Sequence, residues 1–342
     1  DRITPGEYRL YLLGEIDLSA GVAGGVAACS MGVLLVDKGW PWGAAVVAAL
    51  LVGALIGLVI GTLVARLGIP SFVVTLAFFL GLQGVTLKLI GQGGSVRIDQ
   101  PVIAGIANST MSVMWGWISA AVIVVGFALM SLRRHTRQVR AGLQHQPMPV
   151  VLAQIAVVSA ITLVVVALLN ANRSVNPNFP IAGIPYVIPL VIVLFIGLTF
   201  VLSRTRYGRH IYAVGGNAEA ARRAGINVQR IRVSVFVMCS SLAAISGIVA
   251  ASYVGKVSST SGAGNDLLYA VGAAVIGGTR LFGGKGRARD ALIGGLVIAT
   301  IANGLGLLNQ ASYINFIVTG GVLLLAASVD AASRRRRSAS GL

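Results

Sequence analysis

The sequence predicts an all-α protein that crosses a membrane many times. Three observations carry this expectation. Of 342 residues, 56% are hydrophobic and 11% charged, against about 25% charged in soluble domains, and mean hydropathy is +0.86. The apolar residues gather in runs that mostly approach the ~20 a spanning helix needs. The basic residues are clustered: 19 of 27 Lys and Arg lie in blocks 133–140, 204–232, 280–289 and 334–337, each between or after apolar runs.

The runs fall at 20–36, 43–65, 71–90, 115–132, 150–169, 186–203, 233–254, 266–279, 290–308 and 314–330. That makes about nine to ten hydrophobic segments. The run at 266–279 is short and reads as a half-helix or re-entrant element, which survives at membrane depth where protein or water surrounds it. Alternating the crossings puts all four basic blocks, and Arg66, on one side. Under the positive-inside rule that side is cytoplasmic, with the C-terminus. Asp37, Trp40 and Trp42 then fall at the outer interface, where tryptophan is favoured. Gly53, Gly57 and Gly61 in the second run have the four-residue spacing that lets membrane helices approach closely. Packing within the chain is the expected use, a subunit interface the alternative.

The net charge of +17 does not read as nucleic-acid binding, because no basic face on a soluble domain is visible. Cys29 and Cys239 sit inside apolar runs and read as small buried hydrophobes. None of the three histidines has ligand spacing to a cysteine or carboxylate, so no metal site is expected.

Residues 1–19 are too polar for a membrane helix and lack a signal-peptide pattern; this start reads as truncated or atypical. Residues 20–333 form the expected transmembrane domain, with a large loop at 204–232, and 334–342 a basic tail. The stretch "GEIDLSAG" sets Glu15 and Asp17 beside an apolar run. Carboxylates there are usually paired, capping or functional. Asp17 or Ser19 could cap the helix at 20–36, or meet a solute in a polar path. Asn303 is a second polar candidate for such a path, with interhelical hydrogen bonding as the alternative.

The stretch "IGGTRLFGGKGR", 276–287, looks like a phosphate cradle and fails the count. A P-loop needs a glycine, four residues, then Gly-Lys-Ser/Thr. Counting back from Gly284 and Lys285 reaches Thr279, and Gly286 offers no hydroxyl. The centre of the large loop, "NAEAARRAGI", is a short helix by local rules. Asn217 caps it, Glu219 lies in the first turn, Arg222 and Arg223 in the last, and Gly225 stops it. It could present itself to a partner, or be a solvated loop helix.

"YGRHIYAVGGNAEAARRAGI", followed some 50 residues later by "AAVIGGTRLFGGKG", resembles the permease subunit of sugar-importing ABC transporters of the ribose/xylose type. "LLGEIDLSAG" and the ending "VTGGVLLLAASVDAASRRRR" fit the same family, and the basic insertion "LRRHTRQVRAGLQHQPMP" leans toward xylose-type members. The resemblance covers about residues 12–337. It implies a coupling helix at 217–226 (Asn217, Glu219, Ala220, Ala221, Arg222, Gly225, Ile226) that docks on an ATPase subunit. It also implies that Gly277, Gly278, Gly283 and Gly284 form a cytosolic turn packed near that helix. Asp17, Ser19 and Asn303 become substrate-path candidates. ATP and Mg²⁺ belong to the partner ATPase, and this chain has no cofactor and no catalytic residues. The other implied partners are a periplasmic or extracellular sugar-binding protein, a second permease subunit (a homodimer favoured) and membrane lipid. The family carries at least one membrane helix ahead of the Ile-Asp-Leu-Ser segment, where this sequence has only 1–11. The rivals are an ion-coupled secondary transporter and a permease for another sugar, a nucleoside or a branched-chain amino acid. An ion-coupled transporter should carry charges mid-helix, and Lys88 lies near an end where it can snorkel.

Overall fold

The computed structural model describes residues 15–142, 146–172, 174, 181–279, 286–308, 313–314, 317–322, 324–325 and 328. The Arg334–337 block, Arg280, Gly283, Gly284, Lys285 and residues 1–14 lie outside these. The described chain is almost wholly helical: α1 (Ala20–Val36), α2 (Trp42–Ala65), α3 (Ser71–Ile90), α4 (Pro101–Asn108), α5 (Val113–Arg140), α6 (Met148–Asn170), α7 (Val187–Arg204), α8 (Arg206–Gly216), α9 (Ala218–Arg223), α10 (Val228–Val254), α11 (Asp266–Ile276) and α12 (Ala288–Leu307). Among the described residues, α2, α3, α5, α6, α7, α10 and α12 are long and apolar enough to cross a membrane. Large apolar side chains such as Leu51, Leu80, Val193 and Leu296 stand more than half exposed on them. Soluble monomers rarely show such surfaces, and a lipid-facing surface requires them.

The chain divides into two units, residues 1–104 with 191–342, and residues 105–190. In the first, α10 is the central post. Phe236, Val235 and Cys239 on it are fully buried with Ile60 of α2 and Val26 of α1. The glycine ladder of α2 lies against α10. A Cβ at Gly57 would stand 2.5 Å from the Phe236 carbonyl oxygen, and one at Gly61 2.9 Å from the Val233 Cα. The four-residue spacing therefore serves packing within the chain. α1 crosses the other side of α10, with Gly24 against Ala243.

Two short strands, β1 (Ser95–Arg97) and β2 (Lys256–Ser258), pair antiparallel with Val96 opposite Val257. They tie the connection after α3 to the connection after α10. Past β2 the chain turns down beside α1. Val257 packs on Gly32, Ser261 faces Gly25, and Gly262 faces Gly21. The chain then starts α11, which has 11 residues. The short apolar run is thus a half-helix entered through non-helical backbone.

The second unit is built on the antiparallel pair α5 and α6. Ala120, Val166 and Ile184 form its small core, and Thr110 bridges to Pro185.

Two boundaries differ from the hydropathy pattern. Helix α5 runs through the basic block to Arg140, because arginine is a good helix former and nothing breaks the run before Gly142. The loop at 204–232 is mostly helical as well. Helix α8 occupies its first part, capped by Thr205, whose side chain accepts the Gly208 N–H at 3.1 Å, and α10 begins early, at Val228.

Candidate functional site

Local chemistry builds the 205–232 module. Asn217 ends α8 and begins α9, with extended backbone and a side chain that accepts the Ala220 N–H at 2.9 Å. The end of α9 is closed twice. The Gly225 N–H donates to the Arg222 carbonyl and the Ile226 N–H to the Ala221 carbonyl, both at 3.0 Å. This is a Schellman closure, and it needs the left-handed backbone that Gly225 supplies at φ +82°. Asn227 then caps α10 by accepting the Arg230 N–H at 2.9 Å. Two asparagine caps and one glycine stop make a rigid helix–turn–helix entry into the longest post of the unit.

On α9, Glu219, Ala220, Arg222 and Arg223 are exposed. Glu219 pairs with Arg222 at 2.9 Å and Arg223 at 3.3 Å. The hydrogen bond from Arg222 is the main cause that holds the Glu219 carboxyl below its ordinary range. Ala221 is placed differently from the expectation of an outward, docking alanine. It is 4% exposed and belongs to the core with Val214 and Ile211. A six-residue helix seated on the unit must turn one position inward, and Ala221 is that position. Ile226 packs against the same core.

The module is fastened to the glycine-rich region. The Tyr212 hydroxyl donates to the Gly286 carbonyl at 2.7 Å. Gly277, at the end of α11, lies against the backbone of Asp290, leaving no room for a Cβ. Asp290 in turn accepts the Arg287 N–H at 2.7 Å and closes the start of α12. The glycine there serves a backbone crossing. Gly278 has φ +105°; Gly283 and Gly284 lie outside the described residues.

Asp17 and Ser19 are both buried, at 2% and 0% exposure. Asp17 Oδ1 accepts the Ser19 N–H at 2.8 Å and the Ser19 hydroxyl at 2.6 Å. Ser19 is the N-cap residue of α1 but makes no side-chain cap bond, because its N–H and its hydroxyl are both spent on Asp17. Asp17 Oδ2 has no hydrogen-bond partner within ordinary geometry, although the thiol of Cys239 on α10 points at the carboxylate. A thiol is only a weak S–H donor. Glu15 forms an ion pair with Arg232 at 3.4 Å. Asn303 is exposed on α12, and no hydrogen bond joins it to another helix among the described residues.

The sequence pattern did not single out Tyr212 or Arg232. For Tyr212 a signal existed: Tyr207, Ile211 and Val214 share one face of α8, and all three join the core. Arg232 was legible only as one charge in a basic loop.

The described residues form a helical, multi-pass membrane protein with a capped polar helix module fixed to its central post and a half-helix entered through non-helical backbone. The chain belongs to the family described as the permease component of branched-chain amino acid transport systems, whose model matches residues 6–327. It is 35% identical over 326 residues to the xylose transport system permease protein XylH of Escherichia coli K12, covering 94% of this chain and 79% of that one. It is 33% identical over 323 residues to the XylH of Haemophilus influenzae, covering 94% and 83%. To the ribose import permease protein RbsC of Escherichia coli K12 it is 32% identical over 323 residues, covering 93% and 78%. No solved structure matches the chain significantly.

Proposed function

We propose that this chain is the membrane-spanning subunit of a binding-protein-dependent ABC importer for a monosaccharide, with a xylose-like pentose as its solute. The xylose permeases XylH and the ribose permease RbsC match it at nearly full length, and they favour a pentose over the amino acids in the family's description. The observation that carries the coupling role is the exposed, doubly capped helix α9 with its Schellman closure.

The working parts follow. Helix α9, with Asn217, Glu219, Ala220, Arg222 and Gly225, docks on an ATPase subunit that holds ATP and Mg²⁺. Ala221 and Ile226 seat it on the unit. The tie from Tyr212 to Gly286 and the crossing at Gly277 carry its displacement into α11 and α12. ATP-driven closure of the partner shifts the permease between two states of different solute affinity, which is the thermodynamic requirement for pumping. The side that bears α9 and the C-terminus is cytoplasmic. An external sugar-binding protein delivers solute to the opposite side, and a second copy of the permease completes the channel. Asp17 and Ser19, both buried at the start of α1, and Asn303, exposed on α12, are the candidate polar groups of the substrate path.

The test is uptake of labelled D-xylose by proteoliposomes that hold the permease, its ATPase subunit and the binding protein. ATP-dependent uptake competed by xylose and less well by leucine supports the reading. Uptake driven by an ion gradient without ATP overturns it.

A further inference from the structure

We propose that the cavity between α1, α10 and the re-entrant segment before α11 is a binding subsite for the transported sugar, with Asp266 and Ser246 as its polar contacts. The proposal rests on the importer reading and names residues that reading does not supply.

The cavity has a volume of about 230 Å³. At about 30 Å³ per water that is room for several waters, or for one small polyhydroxyl ring. Its walls are the glycine face of α1, Ser246 and Gly247 of α10, Lys256, Ser258 and Ser261 of the descending segment, and Asp266. The glycine face of α1 lets the backbone of α10 and of the descending segment approach closely, and hydroxyls, the Lys256 ammonium and one carboxylate line the space beside it.

Depth gives the cavity its meaning. Gly21 faces Gly262, and Gly21 lies about 22 Å along the axis from the end of α1 at Val36, at 1.5 Å per residue. The start of α11 follows within a few residues, so Asp266 stands inside a hydrocarbon layer of about 30 Å. Asn265, at the N-cap, makes no side-chain cap bond. Asn265 and Asp266 are exposed, and no ion pair or hydrogen bond holds either side chain among the described residues. Non-helical backbone and a carboxylate at this depth persist only where they border protein or a water-filled cavity. A path for a polar solute meets that requirement. A carboxylate accepts from sugar hydroxyls, a serine hydroxyl donates and accepts, and the Gly/Ala wall suits the C–H face of the ring.

The test uses the assembled importer in proteoliposomes, with D-xylose as probe. Asp266→Asn and Ser246→Val are each expected to lower xylose uptake at least tenfold. The ATPase subunit should still co-purify with both variants, which shows that they fold and assemble. Wild-type uptake in both variants overturns the subsite. Absence of stimulation in the wild-type complex overturns the importer reading instead. A second measurement is independent of variant folding at Asp266. In the assembled complex, Ser246→Cys should react with a water-soluble maleimide, and saturating D-xylose should slow that reaction at least fivefold. No reaction, or protection by leucine in place of xylose, contradicts the proposal.

Discussion

Arg232, in the second turn of α10, holds Glu15, in the segment that leads into α1, at 3.4 Å. Glu15 is only 14% exposed and Arg232 33%, so the pair is partly desolvated. It joins the helix that follows the α9 module to the segment just before the buried Asp17. Such a pair lies between exposed pairs, at about 0–1 kcal/mol, and broken buried ones, at about 3–5 kcal/mol. Glu15→Gln should therefore reduce ATPase stimulation by loaded binding protein roughly tenfold, with basal hydrolysis kept. The reversed pair, Glu15→Arg with Arg232→Glu, should restore part of it. Stimulation unchanged in Glu15→Gln would remove this link from the coupling route.

A second prediction concerns packing. Gly57→Val puts side-chain carbons where the α10 backbone already stands 2.5 Å away. Overpacking of this kind costs about 1–3 kcal/mol or more, so the purified variant should unfold at a clearly lower temperature. Gly81→Ala, with nothing within 4 Å, should be neutral or slightly stabilising. Thermal unfolding followed by size-exclusion chromatography in detergent separates the two.

Sidedness is the third. A single cysteine at Ser203, in the last turn of α7, should react with impermeant reagent only from the cytosolic side. One at Lys38, in the turn after α1, should react only from outside. Reaction of both from one side would break the alternation of crossings.

The fourth concerns pH. Glu219 has a depressed pKa, first through its hydrogen bond from Arg222. A depressed acid contributes support that is complete above its ordinary pKa and lost as pH falls through the lowered one. Between pH 6 and 8 the helix should therefore keep that support in full. The pair is solvent-exposed, so Glu219→Gln should leave the unfolding temperature of the permease unchanged at pH 7 while lowering ATPase co-purification, because Glu219 is one of the docking residues. Wild-type co-purification would remove Glu219 from the docking face.

Hydropathy located nearly every spanning helix because a lipid-facing helix must be apolar all round, and that property is local. The α9 caps were legible for the same reason: Asn217 and Gly225 act on backbone within a few residues. What escaped depends on distant partners. Ala221 and Ala220 are identical in sequence terms, and only the seat on the core makes one buried. Strands β1 and β2 are three residues each and are strands only through each other. The expectation that Asp17 or Ser19 caps α1 with its side chain is not met: the Asp17 carboxylate takes both donors of Ser19.

The most direct test of the coupling role is Ala220→Trp, an exposed position on α9 that leaves the seat at Ala221 untouched. The quantity to measure is co-purification of the ATPase subunit together with its hydrolysis in response to xylose-loaded binding protein. The expected result is a permease that inserts at wild-type level, retains at most a tenth of the ATPase and shows no stimulated hydrolysis. Wild-type assembly and stimulation in Ala220→Trp would contradict the assignment of α9 as the coupling helix.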